Sequence, residues 1–226
     1  MKEIIDVFNT YRVELFTACA QTGLMLLVSM TVALLIGLPM GTLIFLGKTD
    51  QLKHPAMKFL SKLAIVYVDV VRSFPFLLLV VALIPFTRLV LGTSFGTGAA
   101  SLPLSFVAVA QYGRMVEQSL LDVPVETIAL AKSLGATLRQ FIFNFLYVEA
   151  RSSLVLSFTT VTIGMVSYST IMGVVGGGGI GDFAIRYGYQ SYEFILMYLT
   201  IVLMIVMVVM IQLLGSFVSK KIDKRR

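Results

Sequence analysis

The chain has 226 residues, of which 58% are hydrophobic and only 13% are charged, with a formal net charge of +6. A soluble domain carries about 25% charged residues, and one water-soluble core cannot hide this much apolar surface, so the composition excludes a soluble enzyme and a nucleic-acid-binding protein. One cysteine and one histidine exclude an intramolecular disulfide framework and offer no zinc-ligand set, and we expect neither a metal nor a cofactor.

Long uncharged stretches predict the membrane spans. A helix needs about 20 apolar residues to cross the hydrocarbon core of a bilayer. Four uncharged stretches exceed that length: residues 15–47, 89–113, 152–181 and 194–219. Residues 59–86 form a fifth apolar segment, which contains Asp69 and Arg72. The sequence therefore predicts an all-α integral membrane protein with five transmembrane helices in a single domain, residues 1–226.

The positions of Lys and Arg predict the orientation of the chain. Thirteen of the 18 basic residues lie on one side of the predicted spans: Lys48, Lys53, Lys58, Lys62, Arg114, Lys132, Arg139, Arg151, Lys220, Lys221, Lys224, Arg225 and Arg226. Because cytoplasmic loops are enriched in Lys and Arg, this side is predicted to be cytoplasmic. An odd number of spans then places the N-terminus outside and the C-terminus in the cytoplasm.

Asp69 and Arg72 lie three residues apart in the second predicted span, on one face of a helix. Charged groups inside a bilayer are costly, so such residues pair with each other, bond neighbouring carbonyls or mark a transport pathway. We expect a local ion pair or carbonyl bonding here. Pro75 follows and is expected to interrupt the hydrogen bonding of the helix.

The cytoplasmic segment between predicted spans three and four, residues 114–151, contains eight charged residues. Residues 122–144 have apolar side chains at roughly helical spacing, with a break at Gly135 and Pro124 in a position that suits the first turn of a helix. This pattern predicts an amphipathic helix that docks a cytoplasmic partner. A helix lying on the membrane surface is the alternative.

The fourth predicted span is rich in hydroxyl groups. They belong to Thr159, Thr160, Thr162, Ser167, Tyr168, Ser169 and Thr170. Such residues either form hydrogen bonds between helices or line a watery passage, and the sequence leaves both possibilities open. The glycine-rich residues 176–181 fit a dinucleotide-binding pattern, but they follow a membrane helix rather than a strand, so we interpret them as the end of the span.

Several strings in a fixed order carry a resemblance to a known family. They are Arg72-Ser73-Phe74-Pro75-Phe76, Ile84-Pro85-Phe86-Thr87-Arg88, Gly92-Thr93-Ser94, Arg114-Met115-Val116-Glu117, Leu134-Gly135-Ala136-Thr137, residues 176–181 and Tyr187-Gly188-Tyr189. Together, over residues 15–218, they resemble the membrane permease subunit of methionine-type ABC importers.

The resemblance implies a protein of the prokaryotic cell membrane with a type I ABC importer permease fold. It implies a homodimer that binds two cytoplasmic ATP-binding subunits and receives methionine, or a closely related amino acid, from an extracytoplasmic substrate-binding protein. The chain itself would be no enzyme, and the sequence contains no phosphate-binding loop motif. The alternatives are a permease for another small solute, such as a short methionine-containing peptide, and an ATP-independent channel or carrier.

The same resemblance implies a coupling loop at about residues 115–150, whose family pattern begins Glu-Ala-Ala and ends Leu-Pro. Aligning Gly135 with the glycine of that pattern places Ala129, Leu130 and Ala131 at the Glu-Ala-Ala positions, and Tyr147 and Val148 at the Leu-Pro positions. The chain therefore departs from the pattern at its glutamate and its proline. With Glu126 one turn earlier as a substitute, the expected ATPase-coupling residues are Glu126, Ala129, Leu130, Ala131 and Gly135.

In the family, the helix at the place of the fourth span lines the dimer axis. The residues implied for the translocation pathway and its gate are therefore Tyr168, Ser169, Ile171 and Met172. These side chains provide no fixed charge for the carboxylate of an amino acid. We therefore expect specificity to reside mainly in the external binding protein.

Overall fold

The computed structural model describes residues 2–52 and 54–223, and helices are the only regular secondary structure in this part of the chain. The α-helices are α1 (Lys2–Val32), α2 (Leu38–Lys48), α3 (Pro55–Ser73), α4 (Phe76–Leu91), α5 (Thr97–Leu121), α6 (Val125–Ser133), α7 (Leu138–Gln140), α8 (Tyr147–Met172), α9 (Ile180–Phe183) and α10 (Phe194–Ile222). Four π-helical turns extend them: Ala33–Gly37, Phe141–Leu146, Gly173–Gly177 and Ala184–Tyr189. The predicted all-α class is confirmed.

By length and apolarity, the described residues contain three helices that can cross a membrane, Asn9–Lys48, Leu138–Gly177 and Phe194–Ile222, or four if a bent pair is one span. The third predicted span, residues 89–113, corresponds to α5 (Thr97–Leu121), which begins eight residues later than predicted and is long enough at 25 residues but more polar. It is surrounded by protein and buries Glu117, so its side chains need not all be compatible with lipid.

The segment predicted as one span at residues 59–86 consists of two helices. α3 ends at Ser73, and α4 begins at Phe76 after a bend of 118°. Pro75 has no backbone N–H to continue the helical hydrogen bonding and favours an extended residue before it, and Phe74 is extended at ψ 134°. The prediction of an interruption at Pro75 was right, but the prediction of a single helix was wrong.

The ion pair expected between Asp69 and Arg72 is not formed. Both side chains are exposed on α3, and the salt bridges found among the described residues do not include them. The hydroxyl of Ser73 donates a hydrogen bond to the carbonyl oxygen of Asp69 at 2.7 Å, which involves only the backbone of the aspartate. The two charged groups therefore remain available to solvent, headgroups or another chain.

The amphipathic segment predicted at residues 122–144 is shorter than expected. α6 ends at Ser133, and Gly135 follows at a φ of +65°, a conformation that ends helices. Thr137 and Gln140 then form a capping box that starts a new helix. This helix runs through Leu138–Gly177, so the fourth span begins 14 residues earlier than residue 152.

α5 lies at the centre of the bundle, where it contacts α1, α2, α3, α4 and α8. α1, the π-helical turn after it and α2 form one long helix, Asn9–Lys48, which we call the first long helix. α5 approaches this helix closely at glycines: a Cβ atom on Gly41 would overlap the carbonyl oxygen of Gly113. Gly37, one turn before Gly41, also faces α5: a Cβ atom built on it would lie 3.1 Å from the carbonyl oxygen of Val109. Small residues spaced by four are typical of close helix packing in membranes.

The two ends of the bundle can be identified by contacts between helices. At the end that we call the Glu117 end, polar contacts join α2, α5, α8 and α10 through Lys48, Glu117, Ser119, Ser152, Ser153 and Ser219. At the opposite end, called the Gly177 end, the amide of Gly96 donates to the carbonyl of Gly176, and Tyr11 packs against Tyr187. Lys53 and residues 224–226, counted above among the cytoplasmic basic residues, lie outside the described residues.

Candidate functional site

α6 presents an exposed apolar surface at the Glu117 end of the chain. The exposed fractions of Val125, Leu130 and Leu134 are 74%, 53% and 67%, and Glu126 and Ala129 are also exposed. We call these five residues the coupling surface. Clustered exposed apolar side chains rimmed by polar ones are typical of an interface with another protein.

Ala131 holds α6 on the rest of the molecule. Its side chain is only 1% exposed, and its carbonyl oxygen accepts a hydrogen bond from the amide of Ala136 at 3.1 Å. Of the residues aligned with the Glu-Ala-Ala pattern, Ala129 and Leu130 thus point outward, and Ala131 points inward. Gly135 is exposed and supplies the turn.

A cleft of about 540 Å³ separates this segment from the loop between α2 and α3. Ala131 and Phe141 line one side of it, and Leu52, His54 and Met57 line the other. Nζ of Lys58, on α3, lies 2.6 Å from Oδ1 of Asp50 in the α2–α3 loop. This hydrogen bond and the charge of Lys58 lower the pKa of Asp50, but both side chains are largely exposed, so the pair contributes little to stability.

A buried carboxylate joins α2 to α5. Glu117, whose side chain is 1% exposed, accepts from Lys48 Nζ at 2.6 Å and from Arg114 Nη1 at 2.8 Å. The Nε atom of Arg114 is buried and has no hydrogen-bond partner in the described part of the chain. Sequence reasoning assigned no role to this triad. The spacing of Arg114 and Glu117 was a usable signal, but the contribution of Lys48 depends on the packing of α2 against α5.

The hydroxyl groups of α8 serve two different purposes. Near the Glu117 end they connect helices, because Ser119 on α5 bonds Ser157 at 3.0 Å and Ser153 at 2.9 Å, and Ser152 bonds Ser219 on α10 at 2.7 Å. Further along, Thr160 donates to the carbonyl of its own helix. The serines that connect helices were not among the hydroxyls named from the sequence; of those, Tyr168 bonds Gln111 on α5, whereas Thr160 and Ser167 are exposed.

One face of α8, continuing into the π-helical turn after it, is largely uncovered by the other described helices. This face, which we call the open stripe, consists of Leu156, Thr160, Gly164, Ser167, Ile171 and Val174. Leu156 and Val174 are 44% and 62% exposed, and Thr160 and Ser167 are exposed as well. A Cβ atom on Gly164 would meet no atom within 4 Å. The spacing of three and four residues aligns the stripe along one side of the helix.

Of the four residues implied for the gate, only Ile171 lies on the open stripe. Ser169 and Met172 are 2% and 3% exposed and lie in the core of the chain. Tyr168 is half-buried; its ring packs against Phe76 with centroids 4.4 Å apart, and its hydroxyl accepts from Gln111 at 3.2 Å. Three of the four residues therefore pack into the chain rather than face outward. Ser167, named among the hydroxyls of the span but not among the gate residues, is the exposed polar residue on the stripe nearest to Ile171.

The glycine-rich turn after α8 is held by α1. The amide of Gly179 donates to Gln21 Oε1 at 2.7 Å, and the amide of Ile180 donates to Thr22 Oγ1 at 2.9 Å. Gly176, Gly178 and Gly179 all have positive φ, which only glycine adopts without strain. The prediction that these glycines end the fourth span and allow a close turn is confirmed.

Helices that are long and apolar enough to cross a bilayer define the class, a multi-pass membrane protein. Residues 54–226 match the family described as the inner membrane component of binding-protein-dependent transport systems. The chain belongs to this family of ABC transporter permeases, as its resemblance to methionine-type permeases implied.

Individual relatives and solved structures agree with this assignment. The chain is 39% identical over 213 residues to the probable D-methionine transport system permease protein MetI of Vibrio cholerae, with 93% of each chain covered. It is 35% identical over 158 residues to the methionine import system permease protein MetP of Bacillus subtilis, with 70% of this chain and 71% of that one covered. A structure of the MetNI methionine ABC transporter in an inward-facing conformation matches with a TM-score of 0.89 at 34% identity, over 95% of this chain and 99% of the other. The fold is therefore that of a type I ABC permease.

Proposed function

We propose that this chain is the permease subunit of an ATP-driven importer of methionine or a closely related amino acid. The observation that carries the proposal is the match to the MetNI structure over 95% of the chain at 34% identity. Relatives named as methionine permeases in both Vibrio cholerae and Bacillus subtilis support the same substrate. The chain supplies the passage, and ATP hydrolysis takes place in a separate subunit.

In the proposed assembly, two copies of the chain form the passage, each binds one cytoplasmic ATP-binding subunit, and an extracytoplasmic protein delivers the solute. All five predicted spans, including α5, cross the membrane, with the N-terminus outside. The clustering of Lys48, Arg114, α6 and the end of α10 at the Glu117 end supports this topology, because cytoplasmic ends are enriched in basic residues.

The coupling surface is proposed to contact the ATP-binding subunit. Val125, Leu130 and Leu134 offer apolar area, and Glu126 offers a carboxylate in place of the family glutamate that is Ala129 here. Ala131 and Gly135 fix the position of α6 against the chain. Closure of the ATP-binding subunits would move α6 together with the start of the α8 helix, because only a four-residue turn separates α6 from Leu138.

The open stripe is proposed to line the passage at the two-fold axis. Thr160 and Ser167 provide hydroxyls for a polar solute, and Ile171 from each protomer provides an apolar constriction. Tyr168, Ser169 and Met172 hold that part of α8 in place through their contacts with Phe76, Gln111 and the core. No side chain of the stripe is charged, which is consistent with specificity supplied by the external binding protein.

Reconstitution tests this function directly. The permease, its ATP-binding subunit and its binding protein are placed in liposomes, and uptake of labelled L-methionine and D-methionine is measured with ATP enclosed. We expect uptake that requires ATP and all three components. Unlabelled methionine should compete with this uptake more strongly than leucine or a methionine-containing dipeptide. Uptake by the permease alone would indicate a channel or carrier instead, and preferential competition by the dipeptide would indicate a peptide importer.

A further inference from the structure

An apolar groove at the Glu117 end contains one charged residue. The groove has a volume of about 360 Å³ and lies between the first long helix and α8, with the end of α10 at its border. Leu34, Leu38, Val155 and Phe158 form its walls, and Arg151 lies among them. We call this cavity the Arg151 groove.

The guanidinium of Arg151 has no partner of its own in the described part of the chain. It takes part in none of the hydrogen bonds or salt bridges found there, although it is half-buried and belongs to a helix that can span the membrane. The acidic side chains of this region, Asp122, Glu149 and Asp223, line a different cavity. Because a half-buried guanidinium loses part of its hydration and gains no anion from the protein in return, the groove favours an anionic occupant.

The direction in which the groove opens identifies the source of that occupant. At 3.6 residues per turn, Arg151 and Phe158 lie about 180° around α8 from Thr160 and Ser167 of the open stripe. The groove therefore lies on the opposite side of α8 from the proposed passage and opens where Leu34 is exposed. Leu34 is still 44% exposed at its edge, so an apolar chain has direct access.

We propose that the Arg151 groove binds an anionic phospholipid, with its phosphate against Arg151 and an acyl chain along Leu34, Leu38 and Phe158. Basic pockets between helices on the cytoplasmic side are suited to such headgroups. Lys220 and Lys221, exposed in the last turn of α10 near Ile222 at the border of the groove, add positive potential. The assignment to the cytoplasmic leaflet rests on the proposed topology, but binding itself does not.

The chain contains no tryptophan, so Leu34→Trp creates a single fluorescent reporter at the groove. The purified full chain is placed in bilayers of phosphatidylcholine that contain acyl-brominated phosphatidylglycerol or acyl-brominated phosphatidylcholine as quencher. One basic residue near a membrane surface favours an anionic lipid by about fivefold, so we expect the apparent affinity for phosphatidylglycerol to be about fivefold higher. These lipids are present in both leaflets, so the result does not depend on orientation or on the transported solute.

Three variants in the Leu34→Trp background test the assignment. Arg151→Gln should reduce the preference to below about twofold, Arg151→Lys should retain most of it, and Lys62→Gln, which removes an exposed cation elsewhere, should leave it unchanged. Val155→Phe should reduce the preference by filling the groove while Arg151 remains. Should Arg151→Gln fail to fold, the lysine and phenylalanine variants still decide the matter.

Equal quenching by the two lipids in the Leu34→Trp chain would overturn the proposal. So would an unchanged preference in Val155→Phe, because this would mean that Arg151 only extends into bulk headgroups. Displacement of the quenching lipid by millimolar methionine would place Arg151 in the passage and would also contradict the assignment.

Discussion

The ammonium nitrogen of Lys48 lies 2.6 Å from Oε1 of Glu117 and joins the last residue of α2 to the interior of α5. α5 ends four residues later and leads through Pro124 into α6. The buried carboxylate therefore connects the first long helix to the segment that carries the coupling surface. We expect a displacement of α6 to change the distance between Lys48 and Glu117 before it changes other contacts.

Replacing Glu117 by Gln should destabilise the chain, because Lys48 and Arg114 lose a buried anion. Removing one partner of a fully buried pair costs about 3–5 kcal/mol. Here the side chains of Lys48 and Arg114 are 40% and 30% exposed, and water can replace part of the interaction, so we expect a loss of about 1–3 kcal/mol in the free energy of unfolding. Denaturant unfolding in detergent measures it. Glu14→Gln, at an exposed position of α1, is the control and should change stability by less than about 0.5 kcal/mol.

Two glycines in helices should respond oppositely to alanine. At Gly41 the added methyl group would overlap the backbone of Gly113, so Gly41→Ala should force α2 from α5 and cost about 1–3 kcal/mol. At Gly164 the same group meets open space within the chain, and Gly164→Ala should stabilise the isolated chain by about 0.5–1 kcal/mol. Thermal unfolding of the two variants tests the helix contact. Similar midpoints would contradict it.

A charge on the coupling surface should uncouple the subunits. Leu130→Asp changes a side chain that is 53% exposed, so the permease should still fold, while ATP hydrolysis stimulated by the loaded binding protein should fall about tenfold or more, as for a central interface residue. Leu130→Met keeps the apolar area and should retain stimulation. Gly135→Arg is less informative, because a φ of +65° strains any side chain there. Full stimulation in Leu130→Asp would place the surface on the membrane instead.

A bulky residue on the open stripe should block uptake. Ser167→Trp should reduce methionine uptake at least about tenfold with the complex still assembled, whereas Leu213→Trp, 61% exposed on α10, should have little effect because it faces away from the core. Ser169 is unsuitable for this test because it is 2% exposed and a tryptophan there would disrupt packing. Normal uptake by Ser167→Trp would exclude the stripe as the passage.

The constriction itself is tested by Ile171→Ala. Shortening this side chain should widen the seal between the two protomers, so that liposomes leak methionine without ATP while the binding of the ATP-binding subunit is retained. Passive efflux from preloaded liposomes measures this. A leak no greater than that of the unsubstituted complex would show that another side chain closes the passage.

The sequence by itself determined the class of the protein. Uncharged stretches longer than a bilayer needs and glycines at the end of α8 are local properties, and local properties survive folding. The order of the short motifs shared with methionine-type permeases could also be read from the sequence, and it predicted the family to which the chain belongs. Pro75 also marked a true interruption, since its missing N–H acts wherever it is placed.

Only the tertiary structure decided which face of each helix is covered. The hydroxyls named for the fourth span were equally compatible with packing and with a passage, and only the packing of the helices separated them. Tyr168 bonds Gln111 on α5 and Ser169 is buried, whereas Thr160 and Ser167 are exposed. In the same way, the spacing of Asp69 and Arg72 predicted an ion pair or bonds to carbonyls, and the ion pair is not formed. Lys48 and Glu117, 69 positions apart in the sequence, are paired. Contacts between residues distant in the chain depend on how helices pack, and periodicity along one helix contains no information about its neighbours.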